Sequence, residues 1–504
     1  MMAGAVLRSR PRPRRSRLAI GAMSIAAILI LVACTPSASP VPTTSPSPSV
    51  SASIPPTTPP PTSAPLPSGP IDSRIAAGHN QTCAINDGGG VSCWGAFNGY
   101  GDVEGSFAPV DVPGLTGPIV ALAPGQWHTC ALTLAGGVTC WGANDQGQLG
   151  DGTQSPSVVP VAVSGLTTGV TAIASGGDHT CAVTNAGAAK CWGNNEQGQL
   201  GIATVTASPV PVDVTGLTSG AIAVAAGHYH SCALMTGGGV KCWGANWNAQ
   251  LGNGTTATNH EPDDVLGLAS SVSSVVAGFE HTCALMTTGG VTCWGDGDAG
   301  ELGNGAFVDS GAAVDVTGLS SGVAAISAGG AHTCALTTSG GVKCWGSDGL
   351  GTGSSEPSAL PADVVGLGDG VTALAAGGMH TCVLTRSNGP MCWGWNWFGQ
   401  LGLGARCAVN QEVPASVATS PTGAGGGSQP SPAPIEHASG PKDVLLRFDV
   451  IVYLRDVLGI IDDPTGRWFT PGAEFTLYGD GTAIVRNDLE QGQKIANAVG
   501  LKPE

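Results

Sequence analysis

The sequence predicts an all-β fold, a seven-bladed β-propeller of four-stranded blades. One observation is a set of seven Cys-x₉-Cys pairs, each closing on Cys-Trp-Gly. The first cysteines, Cys83, Cys130, Cys181, Cys232, Cys283, Cys334 and Cys382, are spaced by 47, 51, 51, 51, 51 and 48 residues. The second cysteines, Cys93, Cys140, Cys191, Cys242, Cys293, Cys344 and Cys392, always lie ten positions later. So small a drift marks one supersecondary unit copied seven times. The other observation is that each copy holds four short apolar runs separated by turn signals, the pattern of a propeller blade.

The sixth copy shows the elements in order. Val323 to Gly330 is a small-residue run that suits a buried first strand. His332 to Thr337 is the second strand, and Ser339-Gly340-Gly341 a turn whose glycines accept positive φ. Val342 to Gly346 is the third strand. In most copies an irregular segment ending in Gln-Leu-Gly, such as Gln148-Leu149-Gly150, comes next. A fourth strand such as Pro211 to Val214 completes the unit, and Gly216-Leu217 closes it.

With the hairpin turn centred on Ser339, Cys334 and Cys344 stand opposite each other. Opposed Cα atoms lie about 4.5–5.5 Å apart, within what a disulfide accepts. Each pair can therefore staple its own hairpin. Metal ligation is the rival reading, but zinc favours short ligand gaps and four convergent ligands. The tryptophan after each second cysteine (Trp94, Trp141, Trp192, Trp243, Trp294, Trp345 and Trp393) is expected to pack between neighbouring blades rather than line a ligand ring. His128, His179, His230, His281, His332 and His380 share one repeat position, which Gln81 takes in the first copy. A seven-fold histidine site would be broken there, so structural hydrogen bonds are expected.

Strings such as His-Thr-Cys-Ala-Leu-Thr, Gly-Gly-Val-x-Cys-Trp-Gly and Gly-Gln-Leu-Gly resemble the regulator of chromosome condensation repeat over about residues 73–417. The resemblance implies a seven-bladed propeller. The cysteines depart from eukaryotic members and look like exported bacterial ones. The founding activity of that family, guanine nucleotide exchange, is not expected here, because the chain carries export features and no exchange-specific loop. Its use as a binding scaffold transfers more readily, by analogy. Two copies deviate at one loop: the first has Gly99-Tyr100-Gly101-Asp102, and the sixth is shortened to Gly349-Leu350-Gly351. One sector of the ring should therefore differ.

Residues 1–34 read as a lipoprotein signal peptide. Six arginines precede the 15-residue apolar run Leu18 to Val32, which is short for a membrane-spanning helix. Leu31-Val32-Ala33-Cys34 looks like a lipobox with Cys34 as the lipidated residue, placing the protein at the cell membrane on its extracytoplasmic side. Residues 35–70 hold no charged residue and read as a disordered Pro/Ser/Thr linker, whose 36 residues could reach roughly 110 Å as polyproline II. A second Gly/Pro/Ser linker covers 418–441. Residues 442–504 form a small α+β segment or part of a larger domain, with a hairpin over 474–486 and a helix over 489–499. Cys407 has no evident partner.

Removing the signal takes the formal charge from −16 to −22. The propeller region, 71–417, carries 24 Asp/Glu against 6 Lys/Arg. That sign argues against nucleic acid and anionic lipid as partners of this region. No nucleophile–base set or phosphate loop stands out. Asp296 to Glu301 is faintly calcium-like but lacks the twelve-residue ligand spacing. No cofactor, metal or catalytic residue is expected. The leading expectation is a monomeric, lipid-anchored scaffold that binds a protein or polysaccharide at the cell surface through its blade loops. The alternatives are an envelope hydrolase with an acidic site at one mouth of the ring, and a purely structural envelope protein. Aromatics outside the repeat consensus are the candidate partner contacts: Phe97, Tyr100, Trp247, Phe307, Trp395, Trp397 and Phe398.

Overall fold

The computed structural model describes residues 74–86, 88–96, 106–404 and 410–418, and the backbone of three strands further on. Cys34, Phe97, Tyr100, Cys407 and the segment 489–499 lie outside the described residues. Residues 75–416 form seven four-stranded antiparallel sheets, each built from four consecutive strands. The fourth blade is representative, with strands Ala221–Ala226, His230–Met235, Val240–Gly244 and Asn259–Asp264. In the sixth blade the first strand is Val323–Ala328, and Gly329-Gly330 belong to the loop after it.

The first strands touch one another around the ring, including that of blade 1 (Ile75–Ala77) against that of blade 7 (Val371–Ala376). They must be slim to converge on an axis, which accounts for their alanine and serine content. The loop after each begins with a glycine: Gly78, Gly125, Gly176, Gly227, Gly278, Gly329 or Gly377. A Cβ there would collide with the carbonyl oxygen of the equivalent glycine in the next blade, and Gly377 meets Gly78 to complete the circuit.

The outer strands carry the opposite device. Pro109, Pro160, Pro211, Pro262, Pro361 and Pro414 sit in six of the seven. Proline offers no N–H to a foreign strand, so it blunts an exposed sheet edge. Between third and fourth strands every blade shifts register beside the glycine of Cys-Trp-Gly. These glycines have φ from 88° to 114°, a conformation that L side chains rarely adopt.

All seven cysteine pairs stand opposite each other in the hairpins, as in Cys232↔Cys242, with sulfur atoms 2.06–2.13 Å apart. Their Cα separation is 4.1 Å, shorter than an unlinked opposed pair would hold. The tryptophan after each pair is at most 1% exposed and packs on the preceding blade; Trp192, for example, joins the core around Cys130, Leu149 and Val163.

A separate three-stranded antiparallel sheet joins Val444–Asp449, Glu474–Tyr478 and Ala483–Arg486 in that order. Its last two strands form the hairpin expected over 474–486.

Candidate functional site

In a four-stranded meander, the loops after first strands and after third strands emerge on one face. The remaining turns emerge on the other. The repeat histidines and the Gln-Leu-Gly segments set the rigidity of the first face. His128 Nε2 lies 2.8 Å from Thr180 Oγ1, and that hydroxyl donates to the Gln148 carbonyl at 3.3 Å. The same carbonyl accepts Trp192 Nε1–H at 2.9 Å. Since the hydroxyl proton goes to the carbonyl, the histidine must donate from Nε2, and its Nδ1 has no partner among the described residues. Six of the seven seams repeat this relay, closing with His380, Thr82, Trp94 and the Gln400 carbonyl.

The histidines are therefore structural. Burial drives the pKa of His128, His179, His230, His281 and His380 down to about 3, and that of His332 to about 4. Glu301 takes the glutamine position in blade 5: its backbone carbonyl accepts Trp345 Nε1–H, and its carboxylate accepts the Ala299 N–H. Burial lifts its pKa to about 7.

Of the two deviating loops, only that of blade 6 lies among the described residues. In blade 6 the shortened loop still supplies a carbonyl, that of Gly349, to Trp393 and Thr381. At the seam between blades 1 and 2, Trp141 Nε1, Thr129 Oγ1 and Gln81 Oε1 are buried with no partner among the described residues. Gln81 there donates to the His128 carbonyl at 2.9 Å. The sector that differs is this one.

Inside the ring of glycines, backbone N–H groups pass from blade to blade around the axis. The links run from His79 N to Gly125 O, through His228 N to Phe279 O, to Gly378 N and Gly78 O. The next side chains line the mouth of an axial recess of about 80 Å³. His79 and Phe279 rings lie 4.7 Å apart, and Phe279 and His228 5.0 Å apart. His228 Nε2 meets Gln126 Oε1 at 2.9 Å. The other three blades place Gly177, Gly330 and Gly378 there, where a Cβ would press on His228, Phe279 and His79. Large and small residues share one crowded axis. His79 is held neutral, its pKa lowered to about 4 by burial and then by His228, and burial lowers that of His228 too.

Around this plug stand two notches in which an acid meets an aromatic pair from the neighbouring blade. In one, Tyr229 and Trp247 pack edge to face with centroids 5.7 Å apart. Trp247 Nε1 donates to Glu280 Oε1 at 3.2 Å, and Asn248 Nδ2 donates to Glu280 Oε2 at 2.5 Å. In the other, Trp395 and Trp397 stack at 5.3 Å, and Trp395 Nε1 donates to Asp348 Oδ1 at 3.2 Å. Trp247 is 42% exposed and Trp397 45%. Phe398 packs edge-on to Trp127. Phe307 is exposed on the outer rim of the same face and joins neither notch.

Charge is divided just as sharply. Among the described residues, the loops of this face carry eleven carboxylates, two in inner loops (Asp178, Glu280) and nine in outer ones, and no Lys or Arg. Lys190, Lys241 and Lys343 lie toward the other end and pair with Asp213, Asp264 and Asp363 at 2.6–2.7 Å. Arg74 and Arg386 also lie toward that end. The crowding shows in titration. Burial, then Asp145, raises the Asp178 pKa to about 6, and burial with Asp178, Glu280 and Glu196 raises that of the Tyr229 hydroxyl.

Of the aromatics flagged from sequence, Trp247, Trp395, Trp397 and Phe398 fall on this acidic face around the mouth. The axial residues His79, Gln126, His228 and Phe279 were missed. Their signal was a position that swings between glycine and a large side chain inside an otherwise strict repeat.

A profile described as the RCC1-like domain matches residues 49–317, and one described as the regulator of chromosome condensation (RCC1) repeat matches 323–352. The chain is 30% identical over 282 residues to the ultraviolet-B receptor UVR8 of Arabidopsis thaliana, covering 54% of this chain and 64% of that one. It is 35% identical over 214 residues to the probable E3 ubiquitin-protein ligase HERC6 of Homo sapiens, covering 41% and 21%. It thus spans less than two thirds of these relatives. Among solved structures, human WBSCR16 aligns with a TM-score of 0.55 at 25% identity, over 63% of this chain and 88% of that one. Prp20p of Saccharomyces cerevisiae aligns with a TM-score of 0.56 at 20% identity, over 70% and 89%, a likeness of fold. The chain belongs to the family of RCC1-like domains.

Proposed function

We propose that this propeller is a protein-binding scaffold that uses its acidic loop face, held outside the membrane by a lipid on Cys34. The observation that carries the reading is the asymmetry of the ring. One face gathers exposed tryptophans and carboxylates with no Lys or Arg among the described residues, while the described cations lie toward the other end. Loops on a rigid scaffold are where binding residues concentrate. Indole rings beside polar groups are the usual anchors of protein interfaces. The seam relays suit a surface that is pre-organised rather than moulded on contact. The lipobox and the charge-free linker support display at a distance from the membrane.

Site-specific photo-crosslinking on intact cells tests this. A photoreactive residue at Phe307 or Val205, on the rim of the loop face, should give reproducible adducts with a protein. One at Leu134, 72% exposed on the opposite face, should not. Adducts from Leu134 alone, or from none of the three, would overturn the reading.

A further inference from the structure

We propose that the loop face seats a lysine- or arginine-rich peptide segment of its partner, with one cationic side chain in each acid–aromatic notch; this rests on the loop face being the binding surface. In the first notch both Glu280 oxygens are steered by neutral donors, Trp247 Nε1 and Asn248 Nδ2, and no cation among the described residues pairs with them. The carboxylate keeps lone pairs for a further donor. A guanidinium can pair with that carboxylate while lying on the indole face, and an ammonium can do the same as a point charge. Trp395, Trp397 and Asp348 repeat the arrangement two blades away. Two copies of the same pairing, from different parts of the chain, fit side chains spaced along one segment.

A second observation points to the backbone of that segment. Gln250 is fully buried, and its Nε2 has no partner among the described residues. Its counterpart Gln148 reaches Asp178 Oδ1 at 3.5 Å, and Glu280 occupies the Asp178 position at the Gln250 seam. By the repeat this unpaired donor lies on the Glu280 side of its seam, and a peptide carbonyl that displaces the covering side chains would supply its acceptor. A simple polyamine supplies none, and a neutral polysaccharide leaves the carboxylates uncompensated. The potential of the face would steer a basic segment inward and repel acidic ones.

The test measures binding of fluorescent peptides to the purified full-length protein. The probes are an arginine-rich Gly/Ser peptide, its aspartate counterpart and its uncharged parent, with a neutral glycan as a separate arm. The arginine peptide alone should bind, more weakly as salt rises. E280Q and D348N should each weaken it about tenfold, the scale of one charge-assisted contact of about 1.4 kcal/mol. D315N, the same charge change toward the opposite end, should leave it unchanged. Both notch variants are near-isosteric, and unchanged thermal melting would show that they fold. Equal binding by E280Q and D348N, an equal loss in D315N, or capture of the glycan without the arginine peptide would overturn the inference. If rim crosslinks to a protein persist in the E280Q/D348N double variant, the loop face stands and the cationic segment falls. If wild type gives no rim crosslinks, the underlying reading falls first.

Discussion

Trp94 of the first blade donates its indole N–H to the carbonyl of Gln400 in the seventh, at 2.9 Å across 306 residues of sequence. Thr82 donates to the same carbonyl, also at 2.9 Å. This is the relay found at five internal seams, so the ring is closed by the contact that holds its other blades together. Each blade is made from its own four strands, and no terminal strand is shared.

Breaking the closing relay should therefore cost what breaking an internal one costs. W94F removes the donor but keeps most of the ring, and should destabilise by about 1–2 kcal/mol. W192F should match it. Chemical denaturation of the two variants checks this, and a much larger loss for W94F would mean that closure rests on something else.

The seam between blades 1 and 2 predicts the reverse. Among the described residues Thr129 Oγ1 is buried without a partner, whereas Thr180 Oγ1 is bonded to a histidine and a carbonyl. T129V should be neutral or stabilising, and T180V should cost about 1–3 kcal/mol, because only the second leaves groups orphaned. Equal losses would refute the assignment of the odd sector.

Acid should loosen the ring. Six repeat histidines have native pKa values of about 3 to 4, against about 6.5 unfolded. Below about pH 6.5 the unfolded chain binds protons that the native state refuses, so stability present above that pH is lost as pH falls toward 4. Asp178 and Glu301 act in the opposite sense, because their raised pKa values let the native state take protons first. His79 and His228 act with the six and Asp296 with the two acids, so the histidines outweigh the acids and the melting temperature should drop between about pH 6.5 and 4.5. H128Q, which imports the residue used at Gln81, should flatten the slope; a pH-independent melt would refute the account.

Non-reducing peptide mass spectrometry should find seven bonds, each between cysteines ten residues apart. Replacing Cys334 and Cys344 together by alanine should destabilise by roughly 2.5–3 kcal/mol, from chain entropy over so short a loop. Links between different blades would contradict the stapled-hairpin reading.

Metabolic labelling with a fatty-acid probe should mark the mature protein, and C34A should abolish the label and release the protein into the medium. A labelled or membrane-retained C34A protein would remove the anchor from the proposal.

The sequence by itself determined the blades. A strict Cys-Trp-Gly period is met by repeated hairpins, and local chemistry decides each: cysteines in register, a glycine at the bulge and, in six of the seven, proline at the edge. The roles of the repeat tryptophans and histidines were legible for the same reason, since a residue that recurs in seven copies, or in six, serves the repeat. What only the tertiary structure decided is who meets whom when the ring closes. His79 and Phe279 come from the first and fifth repeats, yet their rings lie 4.7 Å apart because every inner loop converges on one axis. Glu280 and Trp247, or Asp348 and Trp395, become notches only because neighbouring loops rise on the same side. Side chains that differ from copy to copy carry no period to read, and their partners are chosen by the geometry of closure.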